Sequence, residues 1–589
     1  MEWDLSPLYA SCEDTALLDD ISFAEKEVKS LLEWIESLPM NTDLSSDIHQ
    51  AIERLSVAYL PLIKAHTFIS LVLSTNAQNE KATALRGRLD KLTNVDMGSL
   101  NSAMVRLVGS ALDLDSMIER DPYLKQHSFM LQELRAQANH LMDPAAERWI
   151  LRMQTTGGVT WHNLRNLLDA THLVPIVFDR KHNSIPLSQA RSLAYDTDPD
   201  IRKKAYKAEL AAYAAIEKPM AAAICAIKGE ANVIAEAKKY DSVLDMTLDE
   251  TRMDRATLDA LLEAIQESLP DFRRYLKAKA KLLGHRNGLP FYDLFAPIAS
   301  DAVTYTMEEA RAYLKEAFAE FSAEVADFMD QAFENRWIDM YPREGKGGGA
   351  FCSGMPALKH SWILTNFTGS FSDISTLAHE LGHAFHSHCL MDAPILQSDY
   401  TMPLAETASI FNETVLSRYA QAHANPDQVF ALLESSLMES TQVIVDIYSR
   451  YLFETAVVEQ SKQGPMTAAQ LKEAMIQAQL ASYGDGLNPN DLHPYMWACK
   501  THYYFIGRHF YNFPYAFGHL FGLGVYAQYE EQGEAFIPKY KQLLAYTANA
   551  KIADVAASVG INVRDVSFWR SSLQVIKQQI DDFCTRAEK

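Results

Sequence analysis

The sequence lacks an excess of basic residues, and this absence limits what the chain can bind. It has 54 Lys and Arg residues against 76 Asp and Glu residues, which gives a formal net charge of −22. Such a charge repels nucleic-acid phosphates and anionic membrane surfaces at long range. We therefore predict that the chain binds neither nucleic acid nor membranes.

Cysteine is also scarce, and its six copies are scattered without a C-x-x-C pair. This spacing predicts neither a zinc ribbon nor a disulfide framework. The first five residues are acidic where a secretory signal is basic, and no unbroken apolar run approaches about 18 residues. Together these features predict a cytoplasmic protein with reduced thiols.

The chain has helical periodicity instead. Apolar residues recur at intervals of three and four over residues 20–119, where Gly and Pro are sparse. A second stripe over residues 258–265 follows a candidate N-cap at Thr251 or Asp254. No internal repeat is visible, which argues against a helical solenoid. The pattern predicts a mainly α-helical globular protein.

Strand signals are few. The strongest covers residues 361–367, and it follows a Gly-rich loop at residues 345–350 that lacks the phosphate-binding pattern and is interpreted as a flexible turn. Turn formers at Gly157-Gly158 and at residues 183–186 mark candidate domain boundaries.

An H-E-x-x-H motif lies within a proline-free run over residues 375–388. On a helix, His379 and His383 project from one face and can bind one tetrahedral metal ion, with Glu380 beside a water on that ion. Gly382 lets a neighbouring element approach the helix closely. The alternative interpretation is a core helix that carries polar surface histidines.

A catalytic zinc site normally takes three protein ligands, so a further N or O donor is needed. His386 and His388 are close in sequence but awkwardly placed on the same helix, and Asp399 falls in a predicted loop. Glu406 is a better candidate, on a second predicted helix. Glu413 shares its face, so one carboxylate can bind the metal while the other holds a ligating His. An exposed acidic helix face is the alternative for both.

These side chains predict one zinc ion per chain with His379, His383 and Glu406 as ligands. Zinc at such a site lowers the pKa of water to about 7. Glu380 would take the proton of the water as it attacks a peptide carbonyl, and would later deliver the proton to the departing amine.

The oxyanion formed in such a reaction needs additional hydrogen-bond donors. Two tail segments, residues 497–504 and 509–519, are dense in His and Tyr. Core packing is the alternative interpretation for each of these tyrosines, because buried aromatic residues most often serve packing.

Taken together, these segments resemble the oligoendopeptidase F family, a bacterial branch related to thimet oligopeptidase. The resemblance covers most of residues 200–580, with looser similarity toward the N-terminus. It rests on five segments: 348–352, 363–366, 375–384, 405–409 and 510–515.

The resemblance implies a large, mainly helical, clam-like metallopeptidase with a small β-sheet beside the metal-binding helix and zinc deep in an internal substrate channel. It also implies that Glu406 is the third ligand and that His502, Tyr511 and Tyr515 stabilise the transition state. His502 is preferred to His509 because the sequence around it, K-T-H-Y-Y, resembles the family's K-x-H-[FY]-Y segment.

On this basis we expect residues 1–185 to form an N-terminal helical region that covers the channel and residues 186–589 to form the catalytic domain. The predicted activity is zinc-dependent endopeptidase action on short oligopeptides, because a narrow channel excludes folded proteins. Strand 362–367 would pair with the extended peptide. A zinc exopeptidase and a non-catalytic peptide-binding protein are the alternatives, and the oligomeric state is left open.

Overall fold

The computed structural model describes residues 1–40, 43–178, 181–298 and 304–588, and it is mainly α-helical, as predicted. The α-helices in the N-terminal third are α1 Thr15–Ser37, α2 Ser45–Thr75, α3 Glu80–Lys91, α4 Met97–Gly109, α5 Leu114–Arg120, α6 Pro122–Gln126, α7 Ser128–Gln137, α8 Pro144–Thr156, α9 Gly158–Thr171 and α10 Leu187–Ser192. The remaining α-helices are α11 Pro199–Ala237, α12 Val243–Glu250, α13 Arg255–Leu282, α14 Met307–Ala319, α15 Ala323–Glu334, α16 Phe371–Cys389, α17 Met402–Ala405, α18 Thr407–His423, α19 Pro426–Thr441, α20 Ile447–Ser461, α21 Ala468–Tyr483, α22 Met496–Cys499, α23 Phe513–Gln532, α24 Ile537–Tyr546, α25 Ile552–Ala557 and α26 Val566–Ala587.

Two small sheets accompany the helices in the described part of the chain. Strands β1 (Leu173–Phe178) and β2 (Lys181–Pro186) form an antiparallel hairpin in which Leu173 pairs with Pro186. The turn formers at residues 183–186, which the sequence analysis marked as a candidate domain boundary, therefore lie in strand β2. These residues are weak strand formers, but the buried Val174 and Ile176 of β1 fix the neighbouring strand, and strand preference depends strongly on such context.

The second sheet lies against α16. It contains β3 (Ile338–Asp339), β4 (Phe351–Met355) and β5 (His360–Leu364) in the order β3-β5-β4, with β3 parallel and β4 antiparallel to β5. The strand predicted at 361–367 begins one residue earlier and ends at Leu364, although Thr365 and Phe367 still donate main-chain hydrogen bonds to residues 339 and 340.

The Gly-rich loop before β4 is a turn, as predicted. Gly345 and Gly349 have φ angles of +83° and +80°, which favour glycine. The side-chain amide of Asn366 donates hydrogen bonds to the carbonyls of Gly347 and Gly349 at 3.0 and 2.8 Å. The turn is therefore tied to the residues that follow β5.

Most of the buried apolar side chains in the described part of the chain belong to two clusters. One is built from residues 3–134 together with Met355, Trp362 and Leu364 of the second sheet, and the other spans residues 174–583. The indole of Trp362 also donates to the carbonyl of Asp4 at 2.8 Å. The first cluster thus packs on the sheet that lies beside α16, while the proposed boundary at residues 185 and 186 stays a prediction.

Helices α2 and α11 are long and apolar enough to cross a membrane by length and composition. A search for unbroken apolar runs misses them because polar residues such as Lys64 and Lys228 interrupt them. This evidence is weak, since buried core helices pass the same test. The prediction that the chain does not bind membranes remains untested.

Candidate metal centre

Helix α16 presents the H-E-x-x-H motif, and its sequence explains why it forms there. Ser370 is its N-cap and forms a reciprocal capping box with Asp373. Its apolar face, which includes Leu377, Leu381 and Phe385, is buried. His379 and His383 lie on the opposite side, so the predicted helix is confirmed, and the histidines project together as their spacing requires.

Glu406 lies at a bend, where the sequence predicted an unbroken helix. Helix α17 ends at Ala405, α18 begins at Thr407, and Glu406 between them has φ −84° and ψ 3°. The bend allows α17 to pack on α23 while α18 packs on α16. The Ser409 hydroxyl donates to Oε2 of Glu406 at 2.8 Å and orients the carboxylate.

Two glycines bring α16, the bend at Glu406 and α23 close together. A Cβ at Gly382 of α16 would lie 2.6 Å from the Ala408 carbonyl oxygen, so only glycine fits this helix crossing, as the sequence suggested. A Cβ at Gly518 of α23 would lie 2.8 Å from Cβ of Glu406. Glu406 is therefore held between α16 and α23, the helix that begins at Phe513 within the second His- and Tyr-rich tail segment.

The donor atoms of His379, His383 and Glu406 converge. The two Nε2 atoms are 3.2 Å apart, and Oε2 of Glu406 lies 3.4 Å from the first and 3.5 Å from the second. Tetrahedral zinc ligands at about 2.0–2.1 Å from the ion lie about 3.3–3.4 Å apart, so spacing and donor types fit zinc. In the described residues this is the one His, Cys, Asp or Glu group close enough to share a metal.

Glu413 holds His379 through the other ring nitrogen, at 2.7 Å between Oε1 and Nδ1. Burial alone would lower the pKa of His379, but the hydrogen bond and charge of Glu413, with Glu406, raise it to about 9. Burial lowers the pKa of His383. The pair of carboxylates therefore favours positive charge here, and a metal would displace the proton from His379.

Glu380 lies beside this cluster and is 5% exposed. Burial raises the pKa of its carboxyl to about 7; His379 opposes this shift, whereas Glu406 adds to it. Its Oε2 atom has no hydrogen-bond partner within the described residues. A buried carboxylate with an unused oxygen at the edge of a cavity has the properties of a proton acceptor.

The competing third ligands lie elsewhere. Nε2 of His386 is 2.9 Å from the Thr547 hydroxyl, and its ring stacks on Tyr400 with centroids 3.9 Å apart. The His388 ring packs against Phe328. Asp399 lies in a loop, as predicted, and is outside the ligand group.

The cluster opens into a cavity of about 750 Å³ that is lined by His379, Glu380, His383 and Glu406. Residues 350–352 and Gly354 of the β4 segment line the same cavity. Strand β5 lies between β3 and β4, so both of its edges are already paired. The prediction that residues 362–367 bind the peptide is therefore wrong. Among the described strands, β3 and β4 form the edges of this sheet, and β4 is the one that lines the cavity.

The structure brings His502, Tyr511 and Tyr515 together. The His502 ring lies 5.5 and 5.8 Å from those of Tyr511 and Tyr515, and the two tyrosine rings are 5.6 Å apart. Tyr511 lines the same cavity as His379, His383 and Glu406. Burial, helped by Arg450 and Lys500, lowers the pKa of His502 to about 4 and keeps the imidazole neutral.

His509 lies in a different environment. It is 4% exposed, and its Nδ1 lies 3.4 Å from Nζ of Lys228. Burial and this cation hold its pKa well below the usual value. Of the two histidines considered, His502 is the one that contacts both tyrosines.

Tyr400 was not singled out by sequence, although it lines the cavity next to Asp399. Its ring is fixed by stacking on His386. The signal available in the sequence was the adjacent acidic and aromatic pair Asp399-Tyr400, which precedes Pro403. Cys352 also lines the cavity, and burial raises the pKa of its thiol well above the usual value.

Comparison with known families agrees with this arrangement. A family model described as Peptidase family M3 matches residues 192–574, and a model described as Oligopeptidase F matches residues 111–171. The chain belongs to peptidase family M3. The resemblance to oligoendopeptidase F proteins is confirmed, and membership of family M3 makes the chain a peptidase.

Curated M3 relatives are similar along their length. Oligopeptidase PepF of Bacillus subtilis is 23% identical over 97% of this chain and 87% of its own, and an oligoendopeptidase F homolog of Lactococcus lactis is 24% identical over 100% and 98%. The crystal structure of oligoendopeptidase-F from Enterococcus faecium has a TM-score of 0.72 at 17% identity, covering 95% of this chain and 98% of that one. This likeness establishes the shared fold.

Proposed function

We propose that the chain is a zinc-dependent endopeptidase that cleaves internal bonds of short peptides. The observation that carries the proposal is the convergence of His379, His383 and Glu406 within 3.2–3.5 Å of one another, with Glu380 beside them. A zinc ion bound there would act as a Lewis acid that polarises the scissile carbonyl and acidifies water.

Glu380 is proposed to take a proton from the attacking water and to pass it to the departing amine. His502, Tyr511 and Tyr515 are proposed to donate hydrogen bonds to the oxyanion of the substrate. Neutral His502 retains one N–H donor, and burial raises the pKa of Tyr515, so its phenol stays protonated. Glu413 keeps His379 oriented.

The free edge of β4 is proposed to bind the substrate main chain. An extended peptide that adds to a sheet edge forms main-chain hydrogen bonds with little dependence on its sequence. The cavity of about 750 Å³ accommodates a short peptide segment but not a folded domain. We therefore expect a limit on substrate size rather than a strict sequence preference.

An exopeptidase is the second candidate, because one basic side chain, Arg508, is among the cavity-lining residues of the described chain. A guanidinium at this position could bind a C-terminal carboxylate. A peptide blocked at both ends separates the two activities, since an exopeptidase requires a free terminus.

The test is product mapping on doubly blocked and free peptides of increasing length, with a chelator and after zinc is restored. Internal cleavage that a chelator abolishes and zinc restores supports the proposal. Cleavage that needs a free terminus supports the exopeptidase, and absence of cleavage of every peptide with zinc bound would contradict both candidates. Equal degradation of a stable folded protein would contradict the size limit.

A cytoplasmic location is part of the same proposal. It is supported by the six free cysteines, because unpaired thiols are typical of a reducing compartment. Fractionation of source cells followed by immunodetection tests it, and recovery of the chain outside the cytoplasmic fraction would contradict it.

A further inference from the structure

The segment that carries Tyr511 is held from behind by a buried ion pair. Nζ of Lys228 in α11 lies 2.6 Å from Oε1 of Glu454 in α20, and the two side chains are 0% and 2% exposed. Removing one member of such a pair leaves an uncompensated charge in the interior. The pair therefore links α11 to α20 in the interior, and neither side chain can be replaced alone without this cost.

Glu454 also binds both chain neighbours of Tyr511. Its Oε1 accepts the main-chain N–H of Phe510 at 2.9 Å, and its Oε2 accepts the side-chain amide of Asn512 at 2.8 Å. Because Phe510 precedes Tyr511 and Asn512 follows it, one carboxylate fixes the segment on both sides of the tyrosine.

The main chain at this point has an unfavourable conformation. Phe510 has a φ of +51°, in the left-handed region that bulky residues rarely adopt. The Phe510 side chain is 2% exposed, whereas Tyr511 lines the cavity with His379 and Glu380. The left-handed conformation of Phe510 thus leaves its own ring in the core and the ring of Tyr511 at the site. Glu454 accepts a hydrogen bond from the main-chain N–H of Phe510.

We infer that Glu454 is a positioning residue for peptide hydrolysis. Its carboxylate, whose charge is compensated by Lys228, fixes the direction in which Tyr511 points into the cavity. The inference rests on the proposed function, in which Tyr511 stabilises the transition state. Displacing Tyr511 should then lower kcat with little change in KM, because the lost contact is made mainly in the transition state.

Glu454→Gln is the informative variant. Three donors, from Lys228, Phe510 and Asn512, converge on the two oxygens of Glu454, so the NH2 group of glutamine must face a donor. We expect kcat to fall by up to about 10²-fold, the lower end of the loss typical of one oxyanion donor. KM and zinc content should stay close to those of the native enzyme.

Glu434→Gln is the matched control. Glu434 forms an equally short buried pair with Lys279, 2.6 Å apart and with side chains 8% and 0% exposed. Its described hydrogen bonds involve Lys279 and Tyr275, outside the tail segment. Both variants should lower the melting temperature, but only Glu454→Gln should lower kcat per folded, zinc-loaded molecule. Equal kcat in the two variants would overturn the inference.

A double variant with Tyr511→Phe tests whether Glu454 acts through Tyr511. If it does, Tyr511→Phe/Glu454→Gln loses no more kcat than Tyr511→Phe alone, whereas multiplying losses would overturn the inference. Full kcat in Tyr511→Phe would refute the role of Tyr511 in the proposed function and this inference with it. Reduced kcat in Tyr511→Phe with full kcat in Glu454→Gln would refute the positioning role alone.

Asn512→Ala serves if Glu454→Gln does not fold. It removes the hydrogen bond to Glu454 and the N-cap bond that the Asn512 side chain accepts from the Phe513 N–H, and it leaves the ion pair of Glu454 with Lys228 in place. A loss of kcat that is smaller than the loss expected for Glu454→Gln supports the inference, provided that Asn512→Ala causes no further loss when Tyr511 is already replaced by Phe. Unchanged kcat in Asn512→Ala overturns it.

Discussion

The three proposed metal ligands and the segment around Tyr511 line one cavity, but they are held in place differently. His379, His383 and Glu406 lie within a short stretch of chain, on α16 and at the bend before α18, and these two helices cross closely at Gly382. Tyr511 depends on Glu454, whose bonds to the neighbouring residues span 56 and 58 positions. The reactive centre is encoded locally, whereas the groups proposed to stabilise charge are placed by tertiary structure.

This difference predicts that variants in the first region change metal binding and that variants in the second change turnover with the metal still bound. The largest effect is expected for Glu406→Ala, which removes a ligand. Loss of a residue that only hydrogen-bonds to a metal ligand typically lowers metal affinity about 10–100-fold. Loss of the ligand Glu406 itself should lower the zinc affinity by more than this. Metal analysis after dialysis and activity without added zinc measure this loss.

Exposed Glu531 on α23 provides the control for that change. Glu531→Ala should keep native zinc content and activity. Full zinc content in Glu406→Ala would show that another donor completes the site.

Tyr511→Phe should have the next largest effect. Loss of one donor to an oxyanion lowers kcat by about 10²–10³-fold, and KM should change little. Steady-state kinetics on a blocked peptide, with zinc content measured in parallel, check this. A raised KM at native kcat would mean that Tyr511 binds substrate without stabilising the transition state.

Glu413→Ala should have a smaller effect. His379 keeps its donor atom but loses the hydrogen bond of 2.7 Å that orients its ring. Zinc affinity or activity should fall about 10–100-fold. Competition with a chelator of known affinity measures the change, and an unaltered affinity would show that packing alone orients His379.

Gly382→Ala should have the smallest effect on catalysis and a clear effect on stability. A Cβ there would lie 2.6 Å from the Ala408 carbonyl oxygen and force α16 and α18 apart. Overpacking of this kind costs about 1–3 kcal/mol. Gly98→Ala is the control, because nothing lies within 4 Å of its Cβ and the helix gains about 1 kcal/mol from alanine. Urea unfolding compares the two, and equal stabilities would contradict the close crossing.

The same contrast explains what sequence could predict. The spacing of His379 and His383 needs one helix to acquire its geometry, and the apolar face of α16 made that helix predictable. Asp254 likewise caps α13, accepting the Thr257 N–H at 2.8 Å. Such features depend on local periodicity and capping, which the sequence contains directly.

Features set by distant contacts were missed. The bend at Glu406 follows from packing of α17 on α23, and strand β2 follows from its partner β1. The residues of β5 alone do not predict that both of its edges are paired. Because both are paired, the strand proposed to bind the peptide is β4. Nothing local to Glu454 indicates its bonds to Phe510 and Asn512, because those partners lie in another segment.

The most direct test of the account is turnover of a doubly blocked peptide by Glu380→Gln with zinc content measured in the same sample. Glutamine preserves size and leaves His379, His383 and Glu406 in place, but it cannot accept the proton. The account predicts native zinc content with kcat reduced by at least about 10²–10⁴-fold. Zinc-loaded Glu380→Gln that cleaves the peptide at the native rate would contradict it.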